Sequence, residues 1–126
     1  MEPSYFICKH CGNIVTFVKN TGVKVSCCGE PMQELKPNTT EAATEKHIPV
    51  IHCDGSHVAV EVGSVAHPMA EEHHIEWICL LTEKGIQQTW LKPGEAPRAE
   101  FVLADGDKAT GALAYCNLHG LWKAAL

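Results

Sequence analysis

The chain has 126 residues, with 15 acidic and 10 basic side chains and a formal net charge of -5. That balance leaves no basic stripe to neutralise phosphates and argues against a nucleic-acid partner. A hydrophobic content of 45% is globular, and no apolar run approaches the roughly 20 residues of a membrane span.

Seven cysteines are many for a chain of this length. Met1-Glu2-Pro3-Ser4-Tyr5 carries neither a basic n-region nor an apolar h-region, so a cytoplasmic location is expected. In a reducing compartment, clustered cysteines read as metal ligands before disulfides.

The first cluster opens with Cys8-Lys9-His10-Cys11 and closes with the adjacent pair Cys27-Cys28. Between them, 14–18 and 23–26 read as two short strands, with Asn20-Thr21-Gly22 as the turn. A segment of about 36 residues buries too little surface to fold alone, so a metal staple is expected. Cys-x-x-Cys puts two thiolates on one tight turn. Cys27-Cys28 has no spacer, so the backbone must bend for both sulfurs to reach one ion. Iron and zinc both accept four thiolates in tetrahedral geometry, and spacing leaves the two open. His10 reads as a surface residue.

Residues 37–44 read as a polar linker. Beyond it the pattern is all-β. Val58, Val60 and Val62 alternate with Ala59 and Glu61, while Ile75, Trp77 and Cys79 alternate with Glu76 and Ile78. Further strands are predicted at 48–53, 86–92, 99–104, 110–116 and 121–126. Asp54-Gly55, Lys84-Gly85, Pro93-Gly94 and Asp105-Gly106 mark turns between them. Six or seven such strands predict an antiparallel β-sandwich. No helix of three turns is predicted, and 69–74 offers one turn at most.

Five potential ligands punctuate this β region: His47, His67, His73, Cys116 and His119. They sit in Glu45-Lys46-His47, in His67-Pro68-Met69 with His73 following, and in Cys116-Asn117-Leu118-His119. A structural zinc site is satisfied by four ligands in total and prefers more sulfur. Four imidazoles and one thiolate suit iron with one coordination position open, which implies chemistry at the metal. Cys53 and Cys79 read as inert buried thiols. Trp77, Trp90 and Trp122 read as core or site-wall residues, and Met69 as packing.

Taken together, Cys8-x-x-Cys11 with Cys27-Cys28, Glu45-Lys46-His47, His67-Pro68-Met69-x-x-x-His73-x-Ile75-x-Trp77 and Cys116-Asn117-x-His119-Gly120-x-Trp122 resemble the desulfoferrodoxin family of two-iron superoxide reductases. The resemblance covers nearly the whole chain. It implies a desulforedoxin-like, rubredoxin-like domain over 1–36 with one iron on Cys8, Cys11, Cys27 and Cys28. The linker 37–44 is followed by an immunoglobulin-like, neelaredoxin-type domain over 45–126. There, His47, His67, His73 and His119 surround the second iron, and Cys116 is the axial ligand. The family spacing selects His73 over its neighbour His74, and places Glu45 and Lys46 beside the iron. The implied activity is reduction of superoxide to hydrogen peroxide without dioxygen. A rubredoxin-like electron donor and a homodimer are implied as well. Competing readings are an iron electron-transfer protein and a superoxide dismutase. Cys53 and Cys79 match no family ligand position.

Overall fold

Strand pairing in the computed structural model, which describes residues 2–126, separates the chain into two units, Met1–Lys36 and Pro37–Leu126. In the first, β1 (Tyr5–Ile7) is flanked antiparallel by β2 (Ile14–Thr16) and by β5 (Gln33–Glu34). A separate two-stranded ladder joins β3 (Ser26–Cys27) to β4 (Glu30–Pro31). Tyr5, Cys8 and Met32 are its buried apolar residues. So small a core cannot hold five two- and three-residue strands by burial alone.

The predicted hairpin of 14–18 with 23–26 does not form. The first strand stops at Thr16 and pairs with β1 instead, and the ladder begins only at Ser26. Asn20 still makes its turn, accepting a hydrogen bond from the Gly22 N–H at 2.8 Å. Cys8 and Cys11 lie on the turn after β1, closed by Gly12 N–H to Cys8 O at 2.9 Å. Cys28 adopts φ 52°, the left-handed bend that two adjacent cysteines facing one ion require.

The second unit begins with a single short helix, α1 (Thr44–His47), which sequence reading assigned to the linker end and the approach to a strand. Seven antiparallel strands follow: β6 (Pro49–Asp54), β7 (His57–Val62), β8 (Ile75–Thr82), β9 (Ile86–Trp90), β10 (Arg98–Val102), β11 (Ala109–Cys116) and β12 (Gly120–Ala125). They form two sheets, ordered β10-β7-β6 and β12-β11-β8-β9, the expected sandwich. Between the sheets, Val58, Val60 and Val62 of β7 meet Ile75, Ile78 and Leu80 of β8, Ala112 and Ala114 of β11, and Phe101 of β10. Ile78 was expected on the outward side of its strand. It is fully buried because it belongs, with Leu80, to the core between the sheets.

Two residues fall outside the predicted core. Cys53 is exposed rather than buried, since β6 is an edge strand and Cys53 lies near its end. Trp90 is 73% exposed at the end of edge strand β9. Trp77 and Trp122 are buried as expected, as is Cys79. The 69–74 stretch is not helical; it is an irregular loop closed by an Ala70–His73 bridge. No helix among the described residues is long and apolar enough to cross a membrane.

Candidate metal centres

Cys8, Cys11, Cys27 and Cys28 bring their four sulfurs within 4.8 Å of one another. Cys11 and Cys27 sulfurs are 3.6 Å apart, and those of Cys27 and Cys28 4.0 Å. A tetrahedron with metal–sulfur bonds of about 2.3 Å has edges of about 3.8 Å, so the pocket fits one ion on four thiolates. Its electrostatics point the same way. The backbone N–H of Cys11 holds the Cys8 thiol down to about 6. Cys28, facing the sulfurs of Cys8, Cys11 and Cys27, is pushed up to about 12. Four thiolates this close repel one another, and a bound cation relieves that repulsion. His10 is half-exposed and pairs with Glu30 at 3.2 Å, a surface contact as expected.

The second group gathers His47, His67, His73, Cys116 and His119, again within 4.8 Å. Three come from the ends of strands or a helix and two from a loop. His47 closes α1, and His67 and His73 lie between β7 and β8. Cys116 ends β11, and His119 precedes β12. A register shift between Tyr115 and Cys116, where β11 meets β8, re-aims the chain at the site. Gly120, at φ 80°, then turns the backbone from His119 into β12.

The four imidazoles stand as the sides of a square. Going round in the order His47, His67, His73, His119, neighbouring ring centroids are 4.6, 4.7, 5.1 and 4.9 Å apart. Each ring is nearly perpendicular to the next, at 78°, 83°, 82° and 82°. The opposed pair His47 and His73 is near parallel, with centroids 6.5 Å apart. Cys116 is fully buried in the core cluster, while His73 and His119 are half-buried. The sulfur therefore lies on the core side, and Glu45 and Lys46, which precede His47 on α1, are exposed.

Tautomers follow from hydrogen bonding. His47 Nδ1 lies 2.7 Å from the Ala43 carbonyl, and His67 Nδ1 lies 2.7 Å from that of Pro68. Carbonyls only accept, so both Nδ1 atoms carry the proton and both Nε2 atoms present lone pairs. Those Nε2 atoms nevertheless face each other at 3.1 Å. His47 Nε2 is also 3.1 Å from His119 Nδ1, and the buried His73 Nε2 has no hydrogen-bond partner. Two metal–nitrogen bonds of about 2.1 Å at a right angle put donors about 3.0 Å apart. A cation at the centre of the square satisfies all these lone pairs at once.

Burial favours the neutral form of His47, His67 and His73, as ligation requires. It pushes His67 down to about 4 and lowers His47 and His73 as well, with Lys46 adding to the effect on the latter two. Burial raises the Cys116 thiol, offset in part by the backbone N–H groups of Leu118 and His119. A bound cation deprotonates such a thiol outright.

Other residues support the square. The indole of Trp122 lies 4.8 Å from the His47 ring, and its Nε1–H donates to the His119 carbonyl at 3.1 Å. The Glu45 carbonyl accepts from Val65 N–H at 2.9 Å and from Ser64 Oγ at 3.2 Å. Sequence reading gave Ser64 and Val65 no role; neither residue type signals a clamp without the fold.

A four-sulfur site in a small stapled unit, and a four-imidazole, one-thiolate site at one end of a seven-stranded sandwich, define a two-centre non-haem metalloprotein. The chain belongs to the desulfoferrodoxin family, whose members carry two irons: the Desulfoferrodoxin profile matches residues 39–125 and that of the Desulfoferrodoxin N-terminal domain residues 2–35. It is 51% identical over 117 residues to desulfoferrodoxin from Nitratidesulfovibrio vulgaris, covering 93% of this chain and 91% of the relative. A desulfoferrodoxin homolog from Archaeoglobus fulgidus is 48% identical over 117 residues, covering 92% and 91%. Among solved structures, the superoxide reductase from Treponema pallidum superposes with a TM-score of 0.83 at 41% identity, covering 98% of this chain and 99% of that one.

Proposed function

We propose that this chain is a superoxide reductase. The observation that carries this reading is the square of four imidazoles backed by a buried cysteine. In this reading His47, His67, His73, His119 and Cys116 hold the catalytic iron of the domain spanning 45–126. Cys8, Cys11, Cys27 and Cys28 hold the other in the domain spanning 1–36, and 37–44 is the linker.

Ferrous iron, when bound, supplies a one-electron reductant with a position free for a small anion. The residues supply the rest. Four neutral imidazoles leave the ferrous charge uncancelled, and the single thiolate reduces it to about +1. The site is thus locally cationic on a chain of net charge -5. Lys46 adds a second positive charge near the open side and draws superoxide in. Charges beyond about 8 Å are screened at physiological salt, so this local field outweighs the global one. The Cys116 sulfur, buried and braced by backbone N–H groups, donates electron density from the core side. Superoxide accepts one electron and two protons and leaves as hydrogen peroxide. Water at the open side delivers the protons, ordered by the Lys46 ammonium. Glu45 offers a carboxylate to the site once product has gone.

The electron is restored by a rubredoxin-like donor, with the four-cysteine iron as a second one-electron site. We place the protein in the cytoplasm as a homodimer; the two- and three-residue strands of the first unit leave edges that a second copy covers. The test is to quantify metals in purified protein, reduce it and apply a superoxide pulse. Oxidation of the ferrous state with peroxide formed and no dioxygen evolved is expected. Dioxygen evolution would make it a dismutase, and zinc without iron would end the reading.

A further inference from the structure

Two of the four imidazoles have a hydrogen bond that sets their direction, and a third residue has its backbone held beside the ring. His47 and His67 each donate Nδ1–H to a carbonyl at 2.7 Å. His119 has its own carbonyl held by the Trp122 indole. His73 differs. Among the described residues its ring makes no hydrogen bond, and its Nε2 is buried without a partner. It also lies in an irregular loop outside the strand ladders, whose only internal fastening is the Ala70–His73 bridge. A ring on so loose a segment still completes a square with its neighbours at 4.7 and 5.1 Å.

The Asn117 side chain accounts for this. Its Oδ1 accepts the His74 N–H at 3.0 Å, and its Nδ2 donates to the Glu72 carbonyl at 3.0 Å. The two bonds grip the backbone on either side of His73. The Asn117 backbone N–H adds a third contact, donating to the His74 carbonyl at 3.3 Å. Asn117 follows Cys116 directly and precedes His119 by two residues. One carboxamide therefore ties the loop carrying one ligand to the turn carrying two others, across more than 40 residues of sequence. The chemistry is specific to an amide. The grip needs one acceptor and one donor on a short planar group, and Asn alone supplies both at this length.

We propose that Asn117 is the positioning residue for His73: it fixes the His73 ring relative to Cys116 and His119 by bracketing its backbone, in place of the carbonyl that orients His47 and His67. This rests on the ligand assignment made above. Asn117 does not touch the iron. It acts through the segment it holds, and its loss lets His73 swing away from the square.

The test uses the full chain loaded with both irons, with the four-cysteine iron as an internal reference. Asn117→Ala removes both side-chain bonds. Asn117→Asp keeps the acceptor for His74 N–H but turns an anion toward the Glu72 carbonyl. Partners of this kind change metal affinity by about 10–100-fold when removed. Release of the second iron to a chelator is therefore expected to accelerate by about that factor in the alanine variant and less in the aspartate variant. Release from the four cysteines should not change. The ferric absorption and electron paramagnetic resonance signals of the thiolate-bound iron should broaden or shift in both variants. A purely structural role would lower the melting temperature of loaded and metal-free protein alike without moving those signals. Wild-type release rates and spectra in both variants would overturn the role of Asn117 alone. Collapse of the sandwich in both would also overturn it, by showing that the whole fold, not His73, depends on the residue. A wild-type protein with no thiolate-bound second iron would remove the ligand assignment itself, and this inference with it.

Discussion

Gly63 stands directly against the carbonyl of Glu45: a methyl group on its α-carbon would lie 2.6 Å from that oxygen and 3.0 Å from the Ile48 carbonyl. Both neighbours are backbone and neither can swing aside. Gly63→Ala is therefore expected to displace α1, which carries Glu45, Lys46 and His47, at a cost of about 1–3 kcal/mol. Urea denaturation of the metal-free variant measures the loss, and an unchanged midpoint would contradict it.

Trp122→Phe keeps an aromatic ring beside His47 but removes the Nε1–H that the His119 carbonyl accepts. Losing that one bond should cost about 1 kcal/mol of stability in the metal-free protein. The loaded protein should also show a weaker hold on the second iron, read as faster chelator-driven release.

Lys46→Ala tests the local field. Electrostatic focusing contributes roughly 10-fold or more to capture of a small anion, and salt weakens it. The second-order rate with superoxide should fall by about that factor, and its dependence on ionic strength should flatten. A variant with undiminished rate and salt dependence would place the attracting charge elsewhere.

In the metal-free protein, burial holds His67 down to about 4 and keeps His47 and His73 below their ordinary value. Unfolding returns each to about 6.5. Between about 4 and 6.5 the unfolded chain binds more protons than the folded one, so stability falls as pH drops through that window. Melting temperatures recorded from pH 7.5 to 4 should show the decline, and His67→Gln should make it shallower.

Cys11→Ser and Cys116→Ser separate the two centres. Cys11→Ser should cost the four-sulfur iron and the order of the first unit, whose folding free energy is largely metal binding. It should largely spare oxidation of the second iron by superoxide. Cys116→Ser should abolish that oxidation while leaving the four-sulfur iron in place. Iron content and stopped-flow absorbance read both outcomes.

The parts of the fold that repeat on a strict period were legible in the chain alone. Val58, Val60 and Val62 announce a core-facing strand because side chains alternate across a sheet, and all three are fully buried. The first unit was less legible, since strands of two or three residues carry no period to read. Its 14–18 strand was correctly begun and wrongly paired. Exposure at the sandwich rim was also hidden. Cys53 and Trp90 sit near the ends of edge strands, and edge position belongs to sheet order, which a linear pattern does not encode. For the site, the donor atoms were legible because Cys and His in short clusters have few other uses. Their supports were not. Ala43, Pro68, Ser64 and Val65 act through backbone groups or a common hydroxyl, and nothing in their identity advertises the contact.

The imidazole square draws its first side from residue 47 and its last from residue 119. A nascent polypeptide lacking its final hairpin has no thiolate at 116 and no fourth imidazole, so it offers an incoming ion only a partial and mobile set of donors. Tight capture waits until distant stretches have closed into the mature sandwich, and contacts of that sequence separation are the slow ones to form. Loading of the second iron thereby reports completion of the domain, and a chain cut short upstream of Cys116 is left without a second redox centre that could react unguarded.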